Sequence, residues 1–184
     1  RRVMASYIKK YSDFIGGEKN TSPVKPHVED LKKVVKTVNA TNDTIKDDIK
    51  NAIERYGNDC DLNFIDVSNV TIMDNLFYGL DFKGDISKWD VSNAKMMRRM
   101  FAHSKFTGKN GDISNWDVSN VVNMEDMFNV CKLDCDISKW DVSNVLNAYG
   151  MFAGSTYFKD LSSWKLNNNC NTELLLEQLE DTYI

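Results

Sequence analysis

The sequence predicts an α/β solenoid of short strands and short helices, closed by a helix at each end. Three observations predict it. One sentence of residues recurs: Asp85-Ile86-Ser87-Lys88-Trp89-Asp90-Val91-Ser92-Asn93, then Asp112 to Asn120, then Asp136 to Asn144, with a degenerate forerunner at Asp61 to Asn69 and an echo from Asp160. The second anchoring Asp falls at 66, 90, 117 and 141, with Lys165 in that slot last, so the steps are 24, 27, 24 and 24 residues. A fixed period in this range marks a stack in which each turn buries its apolar face on its neighbours. Within each copy the apolar residues split into an extended part (Ile86, Trp89, Val91) and a part at helical spacing (Met97, Met100, Phe101).

The elements follow in order. Residues 1–16 place Met4, Ile8, Tyr11 and Ile15 on one stripe ending at Gly16-Gly17, an amphipathic helix. Glu18 to Pro26 reads as a linker, and a second helix runs from Pro26 to Asn39. A third spans Ile45 to Tyr56, with Thr44 as N-cap, Ile45, Ile49, Ala52 and Ile53 as its stripe and Gly57 as its stop. It is expected to cap the repeats, while the first helix forms an arm with Tyr7 and Phe14 as a possible dimer contact.

In every copy the helical-spacing slots recur: Met73, Leu76 and Phe77; Met124, Met127 and Phe128; Ala148, Met151 and Phe152. One or two helical turns fit that spacing. Phe82, Phe106, Leu133 and Tyr157 close the turns, and the longer step bulges at Gly108-Lys109-Asn110. Asn171 or Thr172 starts a terminal helix carrying Leu174, Leu175, Leu176 and Leu179. The organisation is therefore 1–57 arm and cap, 58–170 four and a half repeats, and 171–184 a helical cap.

The pattern D-I-S-x-W-D-V-S-N-V-x-x-M-x-x-M-F resembles the repeat of BspA-like bacterial surface proteins, which also occurs in mycoplasma lipoproteins. The resemblance covers residues 58–170, and Gly57-Asn58-Asp59-Cys60-Asp61-Leu62-Asn63 looks like the usual lead-in. It implies a right-handed, leucine-rich-repeat-like fold of parallel strands and short helices, with adhesive or protein-binding roles. It brings no catalytic residues.

Bulk properties narrow the function classes. The 184 residues carry a net charge of −4 and a pI near 5.2, without the basic stripe of a nucleic-acid binder. No apolar run reaches membrane-span length. A start at Arg1-Arg2 fits a processed protein or a piece of a longer one. Cys60 and Cys135 share a slot three turns apart, roughly 14 Å and beyond disulfide reach; Cys131 and Cys135 could meet, Cys170 has no partner in its turn, and free thiols are expected.

The repeated residues read as scaffold. The Asn column (Asn69, Asn93, Asn120, Asn144, Asn168) suits bonding to backbone or to the next Asn. The two Asp columns (Asp61, Asp85, Asp112, Asp136, Asp160 and Asp66, Asp90, Asp117, Asp141) suit Asx turns better than calcium or an acid–base pair copied in every turn. Trp89, Trp116, Trp140 and Trp164 suit core better than a sugar platform, and His27 and His103 are too isolated for catalysis or metal. No cofactor is expected.

Function is then sought in the slots that vary. Between the Met slots stand Asp74 and Asn75, Arg98 and Arg99, Glu125 and Asp126, then Tyr149 and Gly150. With the loops at 78–81, 102–105, 129–132 and 153–156 they form a candidate protein-contact line, weighed against an ordinary solvated face. The expected function is non-enzymatic protein binding, as adhesion or host recognition by a secreted or cell-surface bacterial protein. The alternatives are a cytoplasmic scaffold or inhibitor subunit, and a small enzyme or metal-dependent domain in the first 60 residues, opposed by a lone His and no Cys before Cys60.

Overall fold

A computed structural model of the protein describes residues 38–157 and 159–175, within a unit running from Val34 to Ile184. The helix expected at 1–16, the linker, residues 26–37 of the second helix, the arm's Tyr7 and Phe14, and Leu176 and Leu179 lie outside the described residues.

Strand β1 (Val38–Asn39) pairs in parallel with β2 (Ile65–Asp66), in register Val38 with Ile65 and Asn39 with Asp66. The end of the expected second helix is thus a strand. Val38 and Ala40 spend their N–H groups on the carbonyls of Phe64 and Asp66, which leaves none for a helical ladder.

Helix α1 (Ile45–Tyr56) has the bounds expected of it. Ile45, Ile49 and Ala52 are buried and join one continuous core with the repeats, with Ile53 packed at its edge. Gly57, at φ 85°, donates to the Ile53 carbonyl at 2.8 Å and ends the helix. Thr44 precedes it without a side-chain cap; its hydroxyl accepts the N–H of Thr41 at 3.0 Å.

The strand-and-helix, leucine-rich-repeat-like solenoid is not what forms. Among the described residues there is one helix and a pair of two-residue strands, and the copies themselves are successions of turns. The reason lies in where the backbone groups go. In the segment expected to be helical, the N–H groups of Met73, Asn75, Phe77 and Gly79 reach the carbonyls of Met96, Arg98, Met100 and Ala102 in the next copy, at 2.8–2.9 Å. The later copies repeat this pattern. Asn75, Arg99, Asp126, Gly150 and Leu174, and likewise Gly79, His103, Val130 and Gly154, have φ between 51° and 67°. A left-handed residue every fourth position breaks a right-handed helix, and a helix of one or two turns would not recover its nucleation cost. The terminal helix expected at Asn171 is likewise not formed through Leu175: Leu174 is left-handed, and Ala148, Gly150 and Phe152 donate to Asn171, Glu173 and Leu175.

The copies lie on one another slot by slot. Parallel bridges run Ile72, Met96, Asn123, Asn147, Asn171. Phe77, Phe101, Phe128 and Phe152 stack with centroids 5.3, 5.5 and 5.7 Å apart. Trp89, Trp116 and Trp140 stack at 6.5 Å, and each indole N–H donates to a backbone carbonyl of the preceding copy, Leu62, Ile86 and Ile113, as Trp164 does to Ile137. The Trp slot is core, as expected, and its polar edge is satisfied.

Asn42 closes the N-terminal end. In later copies paired N–H groups (Lys95 and Met96, Val122 and Asn123) donate to one carbonyl of the copy before (Thr71, Lys95). Thr71 and Ile72 have no such copy, and the Asn42 Oδ1 accepts both N–H groups at 2.9 and 3.0 Å. Asn42→Ala should lower stability by about 1–2 kcal/mol in urea unfolding, whereas Asn42→Asp, which keeps the acceptor, should recover most of it.

Candidate functional site

The slots between the Met positions ride on the left-handed turns. Because each turn's N–H groups bond to the next copy, side chains from neighbouring copies fall side by side on one surface row. Asp74 Oδ1 accepts the Arg98 N–H at 2.9 Å, and its Oδ2 lies 3.6 Å from Arg98 Nε. Arg99 Nε donates to Asp126 Oδ2 at 3.0 Å, and Nη2 lies 3.6 Å from Glu125 Oε1. Glu125 is steadied by the Asn147 amide at 3.1 Å. Asn75 and Tyr149 join through backbone: the Asn75 N–H reaches the Arg98 carbonyl, and Tyr149 accepts the Asp126 N–H.

All seven residues of the expected contact line therefore lie on adjoining turns, and the arginines among them are paired. Arg98 and Arg99 keep 44% and 47% of their side-chain surface in solvent, while Asp74 and Asp126 keep 17% and 16%. The carboxylates are recessed and the guanidiniums project over them. The Asp126 hydrogen bond raises the Arg99 guanidinium further above its ordinary value. Exposed pairs of this kind stabilise a fold by only about 0–1 kcal/mol, so their effect here is to orient the arginines.

Beside the row lies a depression of about 300 Å³ lined by Tyr78, Arg99, Ala102, His103, Asp126 and Asn129. Tyr78 meets His103 edge-on at 5.7 Å, and both Tyr78 and, next in sequence to Asn129, Val130 are exposed. Tyr78, Ala102, His103 and Asn129 fall in the flanking loops anticipated from sequence, where His103 was set aside only for catalysis and metal binding. The signal was present in its slot: Gly79, His103, Val130 and Gly154 share it, and glycine in two of four copies marks left-handed backbone.

The invariant slots are occupied structurally. Asp61, Asp85, Asp112, Asp136 and Asp160 each accept the N–H two residues on at 2.8–3.0 Å. Asp66, Asp90, Asp117 and Asp141 do the same at 3.0–3.1 Å, with Ser92 and Ser119 adding their hydroxyls. These are Asx turns. Asn93, Asn120 and Asn144 donate to the Ser68, Ser92 and Ser119 carbonyls of the preceding copy, not to one another. Among the described residues no cluster of three His, Cys, Asp or Glu side chains could hold a metal ion, and no helix is long and apolar enough to cross a membrane.

The four cysteines are free. Burial pushes the Cys60 and Cys135 thiols up to about 11 and Cys131 to about 12, away from nucleophilic chemistry.

The Asx turns set an acid limit. Hydrogen bonds from the following serine hold Asp66, Asp117, Asp136, Asp141 and Asp160 below their ordinary value of 3.8. A depressed folded-state value contributes stability above the unfolded value and loses it as pH falls through the folded one. The thermal midpoint should therefore decline once pH drops below about 4. Asp48, whose burial raises its carboxyl, opposes this in part.

A family model described as "Mycoplasma protein of unknown function, DUF285" matches residues 29–133 and 104–182. No curated protein and no solved structure matches the chain.

Proposed function

The chain belongs to DUF285, a family of Mycoplasma proteins of unknown function, and within it we propose that this protein is a non-catalytic protein-binding module. Its contact face is the row of Asp74, Asn75, Arg98, Arg99, Glu125, Asp126 and Tyr149. The observation that carries this reading is the pairing of Arg98 with Asp74 and of Arg99 with Glu125 and Asp126 across copies. Exposed arginines held in place by recessed carboxylates have lost much of their side-chain freedom before any partner arrives, which lowers the entropic cost of binding. Arginine and tyrosine are also the residues that most often dominate protein interfaces.

The slots that could have passed for an acid–base pair are engaged in turns, which supports a recognition role over catalysis. The likeness of the repeat motif to BspA-like surface proteins supports placing this role at the cell surface, as adhesion or host recognition.

The test is affinity retention from host-cell extract, with the wild type beside an Arg98→Glu/Arg99→Glu/Tyr149→Ala variant whose fold is checked by thermal melting. The expected result is a retained protein that the folded variant holds at least about tenfold more weakly. Equal retention by both would place the contact on another face.

A further inference from the structure

The charge of the row is not spread evenly over the copies. Residues 95–105 of the second copy carry Lys95, Arg98, Arg99 and Lys105 and no acidic residue. The matching run of the first copy, 71–81, carries Asp74 and Asp81, and that of the third, 122–132, carries Glu125, Asp126 and Lys132. The fourth, 146–156, is uncharged. In a chain of net charge −4 the second copy is thus a basic band, and all four of its cations are exposed.

The ion pairs of the row leave the outer side of this band open. The Arg98 side chain is engaged at Nε by Asp74, and that of Arg99 at Nε and Nη2 by Asp126 and Glu125. The Nη1 groups of both meet no carboxylate among the described residues. Asp74, Glu125 and Asp126 keep 17%, 24% and 16% of their side-chain surface in solvent, against 44% and 47% for the arginines. Lys95 Nζ bonds only the neutral Asn120 Oδ1, at 3.3 Å, and Lys105 forms no ion pair among the described residues.

An approaching group therefore meets cations first. A carboxylate bonded to Nη1 lies nearer the guanidinium than the recessed acids behind it, and Coulomb attraction weakens with distance. The planar fork of arginine suits paired carboxylate oxygens, and here the forks are already oriented. The two lysines extend the attraction to both ends of the run with no acid to offset them. Asp81, exposed in the Lys105 slot of the first copy, bounds the band on one side, while Lys132 extends it on the other. The net charge of −4 opposes contact with a broad anionic surface but not with a short segment confined to the band.

We infer that the partner is a protein presenting an acidic segment, which lies along the second copy with its carboxylates on Arg98 and Arg99 and on the flanking Lys95 and Lys105. The inference rests on the protein-binding reading above and adds the chemical class of the partner.

The experiment uses the full chain and the protein that the wild type retains in the assay above. Lys95→Glu/Lys105→Glu leaves the arginine pairs intact. Lys88→Glu/Lys139→Glu makes the same change of net charge at exposed positions on the Trp-bearing turns. The expected result is retention at least about tenfold weaker for the first variant and within about twofold of wild type for the second, with both melting close to wild type. Raising NaCl from about 0.1 to about 0.5 M, which shortens the screening length from about 10 Å to under about 5 Å, should weaken wild-type retention at least about tenfold. An octaglutamate peptide should release the retained protein, and octaglutamine should not. The salt and peptide arms use the wild type, so they decide the matter even if the first variant melts early.

Retention indifferent to salt and octaglutamate would overturn the acidic segment, and equal losses in the two lysine variants would overturn its place on the second copy. Either result, with the partner still lost by Arg98→Glu/Arg99→Glu/Tyr149→Ala, would leave the protein-binding reading standing. Heparin and phosphatidylserine vesicles are presented to the wild type separately. Capture of either with no protein retained would make the band a glycan or lipid surface and overturn the inference together with the protein-binding reading. No protein, heparin or vesicle retained would sink both as well.

Discussion

Phe101→Ala should destabilise the protein by about 3–5 kcal/mol, the range for emptying a fully buried aromatic site. Phe101 has no exposed surface, and its ring lies between Phe77 and Phe128 with centroids at 5.3 and 5.5 Å, while Phe106 covers it at 4.5 Å. Alanine would open a cavity in the middle of the aromatic column, and the rings on either side could not close it without parting from their own backbone bonds to neighbouring copies. Phe101→Leu retains most of the volume and should lose less than half as much. Urea unfolding followed by tryptophan fluorescence measures both, since Trp116 lies 6.3 Å from Phe101. A loss under about 1 kcal/mol for the alanine variant would mean the column is not close-packed.

The second large effect comes from a glycine. A Cβ on Gly84 would overlap the Cys60 carbonyl oxygen and come within 2.6 and 2.8 Å of the Phe82 ring. That carbonyl accepts the Asp85 N–H at 3.1 Å, a bond that ties the second copy to the lead-in. The obstruction is backbone, so it cannot swing aside, and Gly84→Ala should cost about 3 kcal/mol, at the upper end for overpacking. Gly79→Ala is the contrast. Open space surrounds its Cβ position, but φ is +67°, so the expected cost is only the roughly 1–2 kcal/mol of a left-handed alanine. Comparing the two midpoints separates steric from conformational demand; the reverse order would contradict the close approach of the lead-in to Gly84.

Much of the packing was legible in the chain itself. The Phe, Trp and Met slots are core because each recurs in the same surroundings, and helix α1 begins and ends where its apolar stripe and Gly57 place it. The Asx turns were legible as well, since an aspartate two residues before a serine N–H carries its own acceptor. The candidate contact line was proposed by asking which slots change, although its ion pairs were not foreseen. Arg99 and Asp126 are 27 residues apart, and only stacking in register makes them neighbours.

The backbone of the Met–Phe segment was misread for a physical reason. Apolar residues three and four apart, as in Met97, Met100 and Phe101, meet the core equally well from a helical turn or from linked turns with a left-handed corner. Spacing reports which side chains face inward, not where the N–H groups go. Arginine and valine at that corner also hid what Gly79, Gly150 and Gly154 could have disclosed.

By itself, then, the sequence determined the repeat, its register, its buried residues and helix α1, because these depend on residue type at fixed intervals along one chain. Tertiary structure alone decided that the copies are joined by turn-to-turn hydrogen bonds instead of strands and helices, and that Arg99, His103, Asp126 and Asn129 gather in one place. A backbone N–H chooses between its own copy and the next according to what lies opposite it, and that neighbour exists only once the copies have stacked.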